Sequence, residues 1–192
     1  MGEHVGELAL LPGGELVKRP SLEGLLSGLR EAPSFAPRGV GLDVLEELHA
    51  LMGLGPALAD ASPARVLFLS SETAKARLAK SLAPADREGA RLAPACAIVG
   101  YDRVFAEQLI EFMPGRRAQG SCFDRPGAAA AASVRNGVLQ GAYLAVAARS
   151  LGLDVDFVRS FDRTGVAADF FRGGGVTPIF VARLGYPEAA SS

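Results

Sequence analysis

The stretch SVRNGVLQGAYLAVAARSLGLD, Ser133 to Asp154, decides how the rest of the chain is read. Small and apolar residues dominate it, as in a helix covered on several sides. Gly137, Gly141 and Ala145 recur every four residues and so fall on one helical stripe. A glycine inside a helix costs about 1 kcal/mol relative to alanine, so two on one stripe point to close approach by another backbone. Val138, Leu139, Ala142, Tyr143 and Val146 occupy the neighbouring stripes. The helix entrance is polar, carrying Arg135, Asn136 and Gln140. Asn136 and Gln140 share a face, and a buried polar group without a partner costs about 1–3 kcal/mol. Two readings follow: these side chains cap the helix start and bond nearby loops, or they line a ligand site at the end of a central helix.

Working outward, RVLFLSS and PACAIVGYD read as buried strands, and SETAKARLAKSL between them as a helix with an acidic start and a basic end. LDVLEELHALMGLG is an amphipathic helix closed by glycine, and SLEGLLSGLREA a helix capped by Ser21. DRVFAEQLIEFM reads as a further helix, followed by the long loop PGRRAQGSCFDRPG. After the central helix, GLDVDFVRSFD reads as a strand and a loop, and TPIFVARLGY as a last strand. RGGGVTP, just before that strand, reads as a turn rather than a phosphate cradle. At the other end, ELALLPGGELVKR sets two short apolar runs around Pro12, Gly13 and Gly14, an N-terminal hairpin or arm over residues 1–20. Single strands alternating with helices predict one α/β or α+β layered domain over residues 21–192.

Composition narrows the function classes. A formal net charge of -1 gives no global field for nucleic acid or an anionic membrane. No apolar run approaches the ~18 residues of a membrane span, and the start lacks the pattern of a secretion signal. The two histidines, His4 and His49, do not have metal-site spacing, so neither a metal centre nor a His-based triad is expected. Cys96 and Cys122 are far apart and form no CxxC, which fits a reducing cytoplasm.

The run RNGVLQGAYLAVAARSLGLD resembles the central helix of the flavin-dependent nitroreductase family. It is most similar to the branch that holds the malonic semialdehyde reductases, in which Arg-Asn-Gly, Leu-Gln-Gly-Ala-Tyr-Leu and Gly-Leu-Asp recur. LGPALADASPAR, Leu54 to Arg65, is similar to that branch's Gly-Pro-Thr-Ser-Ala-Asn loop, and FVARLGY to its last core strand. The resemblance covers about Arg30 to Tyr186. It implies an α+β fold with a central, mainly antiparallel sheet flanked by helices, assembled as an intertwined homodimer. It also implies one FMN in a groove at each end of the interface, NAD(P)H as a transient electron donor, and a small aldehyde, quinone or nitro compound as acceptor. In such a dimer, the small-residue stripe of the central helix would be the seam between chains. The flavin carries the reaction, so no protein residue is assigned a catalytic role.

The flavin contacts that the resemblance implies come from several places. An arginine that grips the phosphate falls on Pro33 here; Ser34 still offers a hydroxyl, and Arg30 and Arg38 flank the position. In the loop after Pro56, Ala57 and Leu58 replace hydroxyl residues and Asp60 replaces an asparagine. A carboxylate only accepts hydrogen bonds, whereas an amide does both. Asn136 matches the amide expected to reach the isoalloxazine. After GLD, Arg159 replaces a serine or glutamate, and Ser160 replaces the glycine whose N–H lies near flavin N5. A basic contact after the last strand has no counterpart in GYPEAASS. The implied cofactor site is thus Ser34, Arg38, Asp60, Asn136, Arg159 and Ser160. Two functions compete on these residues: an FMN-dependent NAD(P)H oxidoreductase with a rearranged phosphate grip, or a homodimer of the same fold that has lost FMN and binds or regulates.

Overall fold

Apolar runs of strand length and helices of 3.6 periodicity assemble around one four-stranded sheet. The computed structural model describes residues 8–10, 16–18, 25, 35–57, 64–103, 128–158 and 160–188. Strands β1 (Leu8–Leu10) and β2 (Leu16–Lys18) pair antiparallel, with Leu8 opposite Lys18. Helix α1 (Leu42–Gly53) leads to β3 (Ala64–Leu69), α2 (Glu72–Ala79), α3 (Pro84–Leu92) and β4 (Ala95–Asp102). The long helix α4 (Ala128–Ser150) follows, then β5 (Asp154–Phe157), α5 (Arg163–Phe170) and β6 (Val176–Gly185). The sheet order is β3-β4-β6-β5, and every neighbouring pair is antiparallel. This is the α+β architecture, an antiparallel sheet flanked by helices, that the family resemblance implies.

Alternation along the strands sends side chains to two cores. Ala97, Val99, Ala182 and Leu184 share one cluster with Leu45, Leu48 and Met52 of α1 and Leu144, Ala145 and Ala148 of α4. Cys96, Ile98 and Val181 share the other with Leu78 of α2, Ala90 of α3 and Val166 of α5. β4 lies between β3 and β6, and its residues Ala95 to Val99 are fully buried.

Local chemistry sets the helix ends. Ser71 caps α2 by accepting from Ala74 N–H at 3.3 Å. The ending of α4 explains the Gly-Leu-Asp sequence. Gly152 turns with φ +76°, its N–H meets Arg149 C=O at 3.0 Å, and Leu153 N–H reaches Ala148 C=O at 2.9 Å. Arg149 then pairs with Asp154 at 2.8 Å, fixing the first residue of β5. The Gly-rich stretch before β6 is a turn, with Gly174 and Gly175 at φ +70° and +84°. The helix expected over DRVFAEQLIEFM lies outside the described residues from Val104 on.

The small-residue stripe of α4 requires a correction. A β-bulge in β6 sets Val99 opposite Phe180 but Gly100 opposite Pro178, leaving Ile179 as the extra residue. Pro178 has no N–H to lose there. The bulge turns both Ile179 and Phe180 toward α4. A Cβ on Gly137 would strike Ile179, and one on Gly141 would lie 2.6 Å from the Phe180 ring. Ala145 is buried in the same core. The stripe therefore seats this chain's own sheet and is not a seam between copies. Its four-residue spacing was a sound sign of close packing; the partner is intramolecular.

Cys96 illustrates the second core. It is fully buried, its thiol donates to Ala90 C=O at 3.4 Å, and burial pushes its pKa up from 9.0 to about 11 against the lowering charges of Lys75 and Arg183. Lys75 is held beside it by donating Nζ to Ala93 C=O at 2.6 Å. The unfolded thiol ionises first, so the folded state keeps a proton that the unfolded state has lost. Stability is intact below pH 9 and falls by about 1.4 kcal/mol per pH unit between pH 9 and 11. Urea titrations across that window should show the decline in the native chain and a smaller one in Cys96→Ala. Equal slopes would refute the assignment.

Candidate functional site

The site is built where β5 runs out. Val158 N–H still bonds Val181 C=O at 2.9 Å, and the chain then leaves the sheet. A bridge to the α2–α3 junction fixes its course: Ala83 N–H donates to Ser160 C=O at 3.3 Å and Asp162 N–H to Ser81 C=O at 2.7 Å. Ser160 is exposed, and its own N–H has no partner among the described residues. Asp162 then caps α5 by accepting from Thr164 N–H at 3.0 Å. Its second carboxylate oxygen lies so close to Gly165 that a Cβ there would stand 2.7 Å away. The carboxylate is thus folded back on the first turn of α5.

These features border a cavity of ≈ 440 Å³. Phe157, Val158, Phe161, Ile179 and Phe180 supply its apolar wall, and Ser160 and Arg163 its polar lining. The Phe157 and Phe180 rings meet at 5.5 Å with a 59° tilt, a favourable aromatic geometry. The bulge that seats α4 thus also supplies part of the wall. Gly100 is required for it, because a Cβ there would lie 2.9 Å from Thr177 C=O.

The sequence-derived residues distribute unevenly. Ser160 lines this cavity. Arg38 does not; its guanidinium stacks over Tyr186 at 4.1 Å, beside a separate cavity of ≈ 170 Å³ that includes Asp43, Glu47 and Leu151. Asn136 is 1% exposed and belongs to a buried polar row with Ser133 and Gln140. It does not line any described cavity. Leu151 is fifteen residues beyond Asn136, about 22 Å at 1.5 Å per residue, so Arg38 and Asn136 stand near opposite ends of α4. Gln140 Oε1 is buried with no hydrogen-bond partner among the described residues. Ser34, Asp60 and Arg159 lie outside the described residues. Among the described residues no group of His, Cys, Asp or Glu could hold a metal ion, and no helix is long and apolar enough to cross a membrane.

Two of the stretches that carry the family resemblance touch. Tyr143 OH donates to Pro56 C=O at 2.8 Å, and its ring packs so tightly on Gly55 that a Cβ there would collide with it. The Leu-Gly-Pro segment and the central helix are therefore one packing unit. Sequence reasoning missed Arg163 and the aromatic wall. The available signal was Ser-Phe-Asp-Arg-Thr, in which Asp162 is a capping residue and announces a helix.

No family model matches the chain. Over 170 residues, 88% of this chain and 87% of the relative, it is 35% identical to an NADH dehydrogenase/NAD(P)H nitroreductase, so named, of Rhodopseudomonas palustris. It is 40% identical over 171 residues to HadB of Ralstonia pickettii, which carries the same name, covering 88% of this chain and 87% of that one. A nitroreductase of Exiguobacterium sibiricum, solved with FMN, superposes with a TM-score of 0.76 at 18% identity, over 90% of each chain. A nitroreductase family protein of Streptococcus pneumoniae gives 0.71 at 16% identity, over 87% of this chain and 91% of that one. The structural likenesses carry the fold, and the sequence relatives carry the kinship. The chain belongs to the nitroreductase family.

Proposed function

We propose that this chain is a cytoplasmic, FMN-dependent NAD(P)H oxidoreductase that acts as a homodimer and reduces a small aldehyde, quinone or nitro compound. The observation that carries the reading is Ser160, whose N–H has no partner among the described residues, in the lining of an aromatic-walled cavity. That lining fits the ring end of a flavin: flat apolar walls for the isoalloxazine and a fixed donor for its N5. FMN, when bound, accepts a hydride from NAD(P)H and hands it to the acceptor. The chain's own part is positional. The bridge to Ala83 and Ser81 holds the Ser160 peptide in place, and Phe157, Phe161 and Phe180 exclude water from the ring face.

The homodimer part draws on α4. Val134, Val138 and Leu139 are 40%, 45% and 37% exposed, and Ala142 beside them is exposed too. This outward apolar face, rather than the glycine stripe, is the surface we assign to the seam. Val138→Asp should shift a native-size dimer toward monomer in sedimentation at micromolar concentration. A dimer unchanged by the substitution would remove this face from the interface.

A second reading, a non-catalytic homodimer without FMN, draws on the burial of Asn136 and on the position of Arg38 away from the cavity. Titration of the purified chain with FMN, followed by absorbance and flavin fluorescence, separates the two. Saturable binding, with NAD(P)H oxidation on adding a quinone or nitro compound, supports the enzyme. No binding at high FMN supports the alternative.

A further inference from the structure

We infer that Arg163 supplies positive charge to the flavin pocket, facing the pyrimidine edge of the ring and stabilising the charge that reduction places there. The inference rests on the flavin reading above.

Among the described residues, Arg163 is the only charged one lining the ≈ 440 Å³ cavity. It is exposed and makes no hydrogen bond, ion pair or ring contact with any described residue. Several other arginines are committed elsewhere. Arg65 pairs with Asp102, Arg149 with Asp154 and Arg183 with Asp156. Arg77 stacks over Phe170, and Arg87 donates to Leu82 C=O. The nearest carboxylate in sequence, Asp162, is turned onto α5 and is not part of the lining. Among the described residues, the cavity therefore offers apolar faces for a flat ring and a positive charge with no partner.

That combination selects an aromatic ring whose rim becomes negative. Hydride addition at N5 brings two electrons and one proton, and the added negative charge spreads over the N1–C2=O and C4=O atoms. A guanidinium at that edge favours the reduced ring over the oxidised one, because the attraction exists only after reduction. Ser160 N–H and Arg163 lie three residues apart, so one short segment supplies both the N5 donor and the charge.

The test compares the native chain with Arg163→Gln and Arg163→Lys, each loaded with FMN. The dissociation constant of oxidised FMN is measured first, then the two-electron midpoint potential by dye-coupled reduction. Gln at 163 should leave oxidised-FMN affinity within about twofold. It should lower the preference for reduced flavin about tenfold, a fall of about 30 mV in potential. Lys should restore most of it. Binding with an unmoved potential in Arg163→Gln overturns this assignment alone. No FMN binding by the native chain overturns the flavin reading, and this assignment with it.

Discussion

Gly141→Leu is expected to destabilise the folded chain by about 3 kcal/mol or more, a large share of the 5–15 kcal/mol typical of a domain. The reason is local. A Cβ at that position would already lie 2.6 Å from the Phe180 ring, which Phe157 backs at 5.5 Å. The Phe157 ring blocks one line of retreat, and three further carbons must enter the same space. Helix propensity favours leucine over glycine by close to 1 kcal/mol, which offsets only part of the clash. Urea denaturation of the single variants and of Gly141→Leu/Phe180→Ala decides the cause. Removing the ring should recover part of the loss, with a coupling energy of about 1–3 kcal/mol. If Gly141→Leu instead left a fully stable chain that failed only to dimerise, the internal packing of the stripe would be disproved.

Asp156→Ala should cost about 3–5 kcal/mol. Asp156 and Arg183 sit opposite each other on β5 and β6 and pair through side chains only 15% and 17% exposed. Alanine leaves the largely covered guanidinium without its counter-charge, and Arg183 Nε already lacks a partner among the described residues. The desolvation penalty of that charge, rather than the strength of the pair, sets the size of the effect. Asp156→Leu/Arg183→Met, which removes both charges, should therefore be far milder than either single change. Comparable losses in the single and double variants would show that shape, not charge, matters at this register.

The strands and the long helices were legible because their apolar patterns are dense. Ala95 to Val99 is an unbroken buried run, and α1 places Leu45, Leu48 and Met52 at helical spacing. α3 and α5 were not legible. PADREGARL buries only Ala90, and RTGVAADF only Val166, so neither carries a stripe that periodicity could detect. The spacing of Gly137 and Gly141 announced close packing, but not against what. Its partner depends on the bulge at Ile179, a register shift between distant strands that local pattern does not encode. The site was legible in part. Similarity pointed to Ser160, because it replaces a glycine in a recognisable run. Arg163 lies just past that run and stands out only where the fold brings it to the cavity rim.

The order of the sheet has a further consequence. β4 is hydrogen-bonded on both sides and wholly buried over Ala95 to Gly100, whereas β5 is paired only with β6. Amide protons of β4 should thus be released to deuterated solvent only through opening of the whole domain, while those around Val155 to Val158 escape by local fraying. The cavity rests on that fraying margin. A ligand seated there stiffens an edge strand of the sheet, so its energy registers first as slowed exchange at that margin, while the centre of the sheet stays as silent as before.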